Sequence, residues 1–78
     1  MNAVNESMRL YCAIHRAAAK MPTKDRINFI RRRLRAEYDT HREETNPDRL
    51  RFLHALAATQ LETIQIQAKH LTDMLKSH

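Results

Sequence analysis

A thiol and an imidazole lie one helical turn apart near the start of the chain. Cys12 and His15 are three positions apart, which on a helix would bring them to one face and could pair a thiolate with a base. No oxyanion donor or orienting acid follows in pattern, and both residues fall near the apolar face of their segment. The pair therefore indicates a small buried thiol, not a nucleophile.

Histidines raise the question of a metal site. The chain has five of them: His15, His41, His54, His70 and His78. His54 and His70 would lie about 24 Å apart along one helix, and the sequence contains no HExxH motif and no Cys/His cluster. Because the chain has no glycine, it also lacks a glycine loop for a nucleotide phosphate. We predict neither a metal site nor an enzyme.

An arginine-rich run, Arg31-Arg32-Arg33-Leu34-Arg35, is the strongest local signal. On a helix, Lys24, Arg31, Arg35 and Arg42 fall within a sector of about 40° beside the apolar stripe. Like charges at i, i+4 are mildly destabilising, so helix stability gives no reason for this arrangement. The guanidinium fork suits phosphates and carboxylates. The stripe therefore predicts an acidic or phosphate-bearing partner, and the alternative is a solvated helix face.

The composition limits the class of protein. With 78 residues and a formal charge of +5, the chain is one small basic domain that buries little core and would gain from a tightly held partner. The charge favours an acidic protein, a nucleic acid or an anionic membrane without choosing among them. The single cysteine excludes an internal disulfide and fits a reducing compartment. No apolar run approaches the length of a membrane span, and the N-terminal segment resembles neither a secretory signal nor a good cleavable transit peptide.

Two proline-containing breaks divide the chain into three amphipathic segments. Apolar residues at helical spacing predict helices over about 3–20, 24–41 and 47–76. Three such stripes with short connections favour an all-α fold, an antiparallel three-helix bundle with a long third helix that covers 1–78 as a single domain.

Capping residues mark the helix starts. Thr23 is predicted as the N-cap of the second helix, and Asn46-Pro47-Asp48 supplies a cap, a first-turn proline and an acid for the third. Four further apolar residues fall off the main stripe of the third helix and widen its apolar surface: Phe52, Leu56, Ile66 and Met74. Such a surface often marks a second protein interface, although scattered exposed apolar residues are also normal.

A set of spaced motifs resembles the LYR-motif (complex-1-LYR) family of small mitochondrial proteins. In that family Leu-Tyr-Arg in helix one is followed four residues later by Arg, a basic helix two ends in Arg-x-x-Phe, and Asp/Asn-Pro opens helix three. The chain reads Leu10-Tyr11-Cys12 and Arg16, then Arg31-Arg32-Arg33 and Arg35-Ala36-Glu37-Tyr38, then Asn46-Pro47. The resemblance extends to about Gln67. Cys12 replaces the motif Arg, Tyr38 replaces the usual Phe, and no basic residue lies near Gln65.

The resemblance implies a non-enzymatic adaptor on the matrix side of mitochondria. Members bind the mitochondrial acyl carrier protein, whose acidic helix meets the basic helix two, while the acyl chain on its phosphopantetheine threads between the three helices. By this resemblance the carrier contacts are Lys24, Arg31, Arg35 and Arg42. The implied lining of the acyl channel is Tyr11, Ile14, Ile30, Leu34, Tyr38, Leu53, Ala57 and Leu61. No cofactor is bound directly, since the carrier presents the acyl-phosphopantetheine.

The implied client is a second protein or complex: cysteine desulfurase, a respiratory complex or the mitochondrial ribosome. An assembly factor and a permanent accessory subunit remain alternatives. A third interpretation is an RNA-binding helical protein whose arginines contact phosphates, with rRNA as one target and with binding that weakens steeply with salt. The chain has no Trp and only four Tyr or Phe, which leaves few platforms for stacking bases. A helix that lies on a membrane surface is disfavoured, because within a bundle the apolar faces can pack against one another and the basic face can bind a partner.

Overall fold

Three helices make up the described part of the chain. The computed structural model describes residues 3–76, which form α1 (Ala3–Ala18), α2 (Lys24–His41) and α3 (Pro47–Lys76). The all-α prediction with a long third helix is therefore confirmed, and His78 lies outside the described residues. The predicted end of the first helix at residue 20 is two residues too late. After Ala18 the N–H groups of residues 19–21 each bond the carbonyl three residues back, so the helix tightens into a turn before Pro22.

The predicted caps are present in the structure. The Thr23 hydroxyl accepts a hydrogen bond from the backbone N–H of Arg26 at 3.3 Å. At the start of α3, the side-chain oxygen of Asn46 accepts from the N–H groups of Asp48 at 2.9 Å and Arg49 at 3.3 Å. Both caps satisfy backbone donors that have no partner within the helix. They fix where α2 and α3 begin and hence where each helix directs its side chains.

Helix α1 holds the bundle together. It packs along both other helices, most extensively along α3, whereas the backbones of α2 and α3 come close at no more than an isolated point. The buried side chains lie mainly on α1 and its following turn, with single contributions from α2 and two from α3: Leu10, Ile14, Ala17, Ala18, Met21, Leu34, Leu53 and Ala68. Because α1 separates its two neighbours, a gap remains between α2 and α3.

The third helix extends past the end of α1. Its 30 residues span about 45 Å, and the hydrogen bond between Ser7 and His54 at 2.7 Å fixes its register beside α1. Ala68 is still buried, whereas Leu75 is 59% exposed. The off-stripe residues Phe52, Leu56, Ile66 and Met74 are all exposed. Over residues 3–76 no helix combines the length and apolarity needed to cross a bilayer.

Candidate functional site

A large cleft lies between α2 and α3. Its volume is about 820 Å³, within the range of about 300–1,000 Å³ that is common for small-molecule sites. Ile14 and Met21 from the α1 side form its base, and residues from the facing sides of α2 and α3 form its walls. The cleft exists because α1 binds both helices while these two hardly touch each other.

The two walls of the cleft differ in chemistry. The α2 wall presents Phe29, Ile30 and Leu34, of which Phe29 is 57% exposed and Leu34 is buried. The α3 wall is mostly polar and uncharged, with Ile64 among Thr59, Gln60, Thr63 and Gln67. At the α2 rim, Arg26, Arg32 and Arg33 outnumber Asp25 and Glu37. The cleft therefore combines an apolar side with a hydrogen-bonding side and a rim of net positive charge.

A smaller, partly open cavity of about 70 Å³, here called the inner cavity, lies among the three helices. Tyr11, Tyr38, Leu53 and Ala57 contribute to its lining, together with polar groups that include His54. Four residues line both the cleft and this inner cavity: Ile14, Leu34, Glu37 and Gln60. The two spaces are therefore neighbours with a shared boundary.

Most of the residues assigned to an acyl channel by resemblance lie at these two spaces. Ile14, Ile30 and Leu34 line the cleft, and Tyr11, Ile14, Leu34, Tyr38, Leu53 and Ala57 line the inner cavity. Leu61 is half-buried and lines neither of them. It follows Gln60 by one position, and this rotates its side chain by about 100° away from the cleft. The contact of these residues with an acyl chain stays a prediction.

An aromatic cluster joins α1 to α2 beside the inner cavity. The ring centroids of Tyr11 and Tyr38 lie 4.9 Å apart with the planes tilted by 49°, and Tyr11 stacks on His15 at 6.1 Å. Such tilted aromatic pairs stabilise an interface by more than the burial of their surface area alone would do. Leu10 and Cys12 flank Tyr11 in the sequence. Leu10 is buried, and Cys12 is half-buried with a free thiol.

In the structure the residues of the predicted basic stripe fall into two groups. Arg31 contacts α1, whereas the others are exposed. Arg31 is half-buried and donates from Nε at 3.3 Å and from Nη2 at 2.9 Å to the backbone carbonyl of His15. That carbonyl belongs to the last turn of α1, where helix carbonyls have no partner within the helix. Arg31 therefore joins α2 to the end of α1, a contact that the sequence pattern did not indicate.

The other predicted carrier contacts point outward. Arg35 and Arg42 are 71% and 60% exposed, and both approach the Asp39 carboxylate, at 3.6 and 3.7 Å. Lys24, at the first position of α2, is exposed, as is Arg16 on α1. Arg26 and Arg33, on the opposite shoulder of α2, border the cleft. The spacing of Arg26 and Arg33 along the sequence gives their angular position around α2, and this could have predicted their location beside the cleft.

Replacing Arg31 tests whether its contact with α1 stabilises the fold. We expect Arg31→Ala to lower the free energy of unfolding by about 1–2 kcal/mol, because a terminal carbonyl loses its charged donor. Arg32→Ala, an exposed neighbour on the same helix, should change it by less than about 0.5 kcal/mol. Urea unfolding followed by circular dichroism measures both. Equal stability of the two variants would show that the Arg31 contact contributes nothing to the fold.

Two polar contacts involve side chains of α1. The hydrogen bond between Ser7 Oγ and His54 Nε2 borders the inner cavity. The Arg9 guanidinium, bonded to Glu6 at 2.5 Å, lowers the pKa of that carboxyl, and Glu6 in turn raises the pKa of Arg9. Among the residues described, no group of three His, Cys, Asp or Glu side chains could hold a metal ion.

Comparison with known proteins gives one match. The family model described as Complex 1 protein (LYR family) matches residues 5–63. This range includes most of α1, all of α2 and the first half of α3, and thus nearly every residue that borders the two spaces described above. No curated protein and no solved structure matches the chain.

Proposed function

The chain belongs to the LYR family of complex 1 proteins, and on that premise we propose that it is an adaptor for acylated acyl carrier protein in mitochondria. Family membership makes it a small LYR-motif protein of the type that serves mitochondrial complex assembly. The proposed carrier presents an acyl-phosphopantetheine, and the adaptor supports the assembly or stability of a client complex in the matrix or on the matrix side of the inner membrane.

The observation that carries this proposal is the cleft together with the inner cavity that adjoins it. An acyl chain that left water for these spaces would gain about 0.8 kcal/mol for each buried methylene. The chain could lie against the apolar α2 wall and reach Ile14, which is 2% exposed, at the base. A ligand that binds only the folded protein also stabilises it. This matters for a domain of 78 residues, since domains of this size are marginal alone.

The charge on α2 supports a carrier as the source of the acyl chain. Arg35 and Arg42 are exposed on this helix, and Arg26, Arg32 and Arg33 border the cleft itself. An acidic helix that docked on α2 would meet exposed guanidinium groups, and the attached phosphopantetheine would start next to the opening. Electrostatic complementarity of this kind orients a partner and speeds its association.

A permanent accessory subunit on the same fold is the second candidate. The exposed apolar residues Phe52, Ile66 and Met74 on α3 favour it, because apolar surface of this kind often belongs to a protein interface. Co-purification settles the difference. A permanent subunit is recovered in stoichiometric amounts with one mature complex, whereas an assembly factor is recovered only with immature intermediates.

Native mass spectrometry of the protein co-expressed with its mitochondrial acyl carrier protein tests the main proposal. We expect a one-to-one complex with the additional mass of an acylated phosphopantetheine. A matched carrier variant that lacks the serine to which phosphopantetheine is attached should give much less complex, because the apolar burial is lost. A well-folded monomer that ignores the acylated carrier would contradict the proposal.

A further inference from the structure

A side-chain bridge lies where the cleft and the inner cavity meet. Gln60 on α3 donates from Nε2 to Glu37 Oε2 on α2 at 3.4 Å, across a gap where the two backbones hardly approach each other. Both residues are half-buried, and both line the cleft and the inner cavity. The Glu37–Gln60 bridge is thus a polar contact that joins α2 to α3 at the boundary between the two spaces.

The apolar surface continues beneath this bridge. Ile14 and Leu34 border both spaces as well, and they are 2% and 8% exposed. An apolar chain that advanced from the cleft along these two residues would therefore meet the bridge before it reached the inner cavity. To go further, the chain must part the two polar side chains.

The geometry allows the bridge to open at small cost. At 3.4 Å the hydrogen bond is longer than the usual 2.7–3.2 Å for N–H···O bonds and correspondingly weak. Glu37 also accepts from Arg33 Nε at 3.0 Å through its other oxygen. When Gln60 moves away, the carboxylate keeps this charged partner, so opening leaves no buried charge without a partner.

We propose that the Glu37–Gln60 bridge sets the acyl-chain length that this protein prefers. Chains that end within the cleft leave the bridge intact. Longer chains must break it before their terminal methylenes gain burial in the inner cavity, which offers only about 70 Å³. The inference rests on the proposed function, since it concerns the acyl group of the carrier.

The experiment is a competition among carriers of defined length. The wild-type protein is mixed with equal amounts of acyl carrier protein loaded with saturated acyl groups from short to long, and native mass spectrometry measures the ratio of complexes. In Glu37→Ala the ratio of longer to shorter chains should rise by about two- to fivefold, the equivalent of the one weak hydrogen bond that longer chains no longer have to break. Gln60→Ala should shift the ratio in the same direction and gives an independent result if one variant folds poorly.

Two controls separate the bridge from other effects. Glu37→Gln keeps the size and the hydrogen-bonding oxygen of the side chain, so it should retain the wild-type length preference. Glu62→Ala removes an exposed acid of α3 that borders neither space and should also leave the preference unchanged. If all variants bind acylated carrier with the wild-type length ratio, the bridge does not select length, although the proposed function stands. If the wild-type protein binds no carrier of any length, both inferences fail.

Discussion

Replacing Ile14 by alanine is expected to destabilise the protein by about 2–5 kcal/mol, the usual cost of removing a large buried aliphatic side chain. Ile14 is 2% exposed and borders both the cleft and the inner cavity. Loss of its side chain leaves a void that the surrounding helices fill only in part. For a domain of this size each kcal/mol lowers the melting temperature by roughly 4–8 °C. Thermal unfolding followed by circular dichroism measures the effect.

The matched control is Ile66→Ala on α3. This isoleucine is 62% exposed, so the same substitution there should change stability by no more than about 0.5 kcal/mol. If the two variants melted at the same temperature, the packing of α1 against its neighbours would not be the main source of stability. Addition of acylated carrier should raise the melting temperature of Ile14→Ala, because binding to the folded state offsets part of the loss.

Reversing two charges on α2 should nearly abolish carrier binding. In the double variant Arg35→Glu/Arg42→Glu, two exposed cations that approach Asp39 become anions. They would then repel an acidic partner helix, and juxtaposed like charges cost several kcal/mol at an interface. We expect the dissociation constant for acylated carrier to rise by about 100-fold or more. Titration calorimetry at low salt gives this value directly.

The control for charge reversal lies away from α2. Arg9 on α1 and Arg51 on α3 are also exposed, and each is paired with an acid three positions earlier, Glu6 and Asp48. The double variant Arg9→Glu/Arg51→Glu changes the net charge by the same amount. It should bind the carrier within a few-fold of wild type. If both double variants lost affinity equally, only the overall charge would matter, and α2 would not be the docking helix.

The sequence was sufficient to predict the three helices and the residues at which α2 and α3 begin. Apolar spacing of 3.6 residues and local capping groups depend on near neighbours along the chain. Thr23 and Asn46 could therefore be assigned without knowledge of the rest, and both act as caps in the structure. The end of α1 was less predictable, since it depends on how the turn before Pro22 tightens. The family resemblance, based on spaced motifs, is likewise confirmed by the family match.

The site was less predictable because it depends on pairs of helices. A single helical pattern says which residues are apolar, but not which helix each of them faces. Nothing in the pattern indicated that α2 and α3 stay apart, and the Glu37–Gln60 bridge therefore could not be foreseen. Arg31 was assigned to the basic stripe that meets an acidic partner, and its bond to the His15 carbonyl emerges only once α1 and α2 are packed. Leu61 was assigned to the channel by the family resemblance, and in the structure it borders neither the cleft nor the inner cavity.

The large interface between α1 and α3 has a consequence for the order of folding. Ser7 and His54, which bond across it, are separated by 47 positions, so the first helix finds its main partner only in the last. Loop-closure entropy opposes such a contact, and helical proteins rich in local contacts fold faster than those that depend on distant ones. During synthesis, α1 and α2 can form only the smaller part of the core. The part of the apolar face of α1 that packs on α3 therefore stays uncovered until α3 emerges.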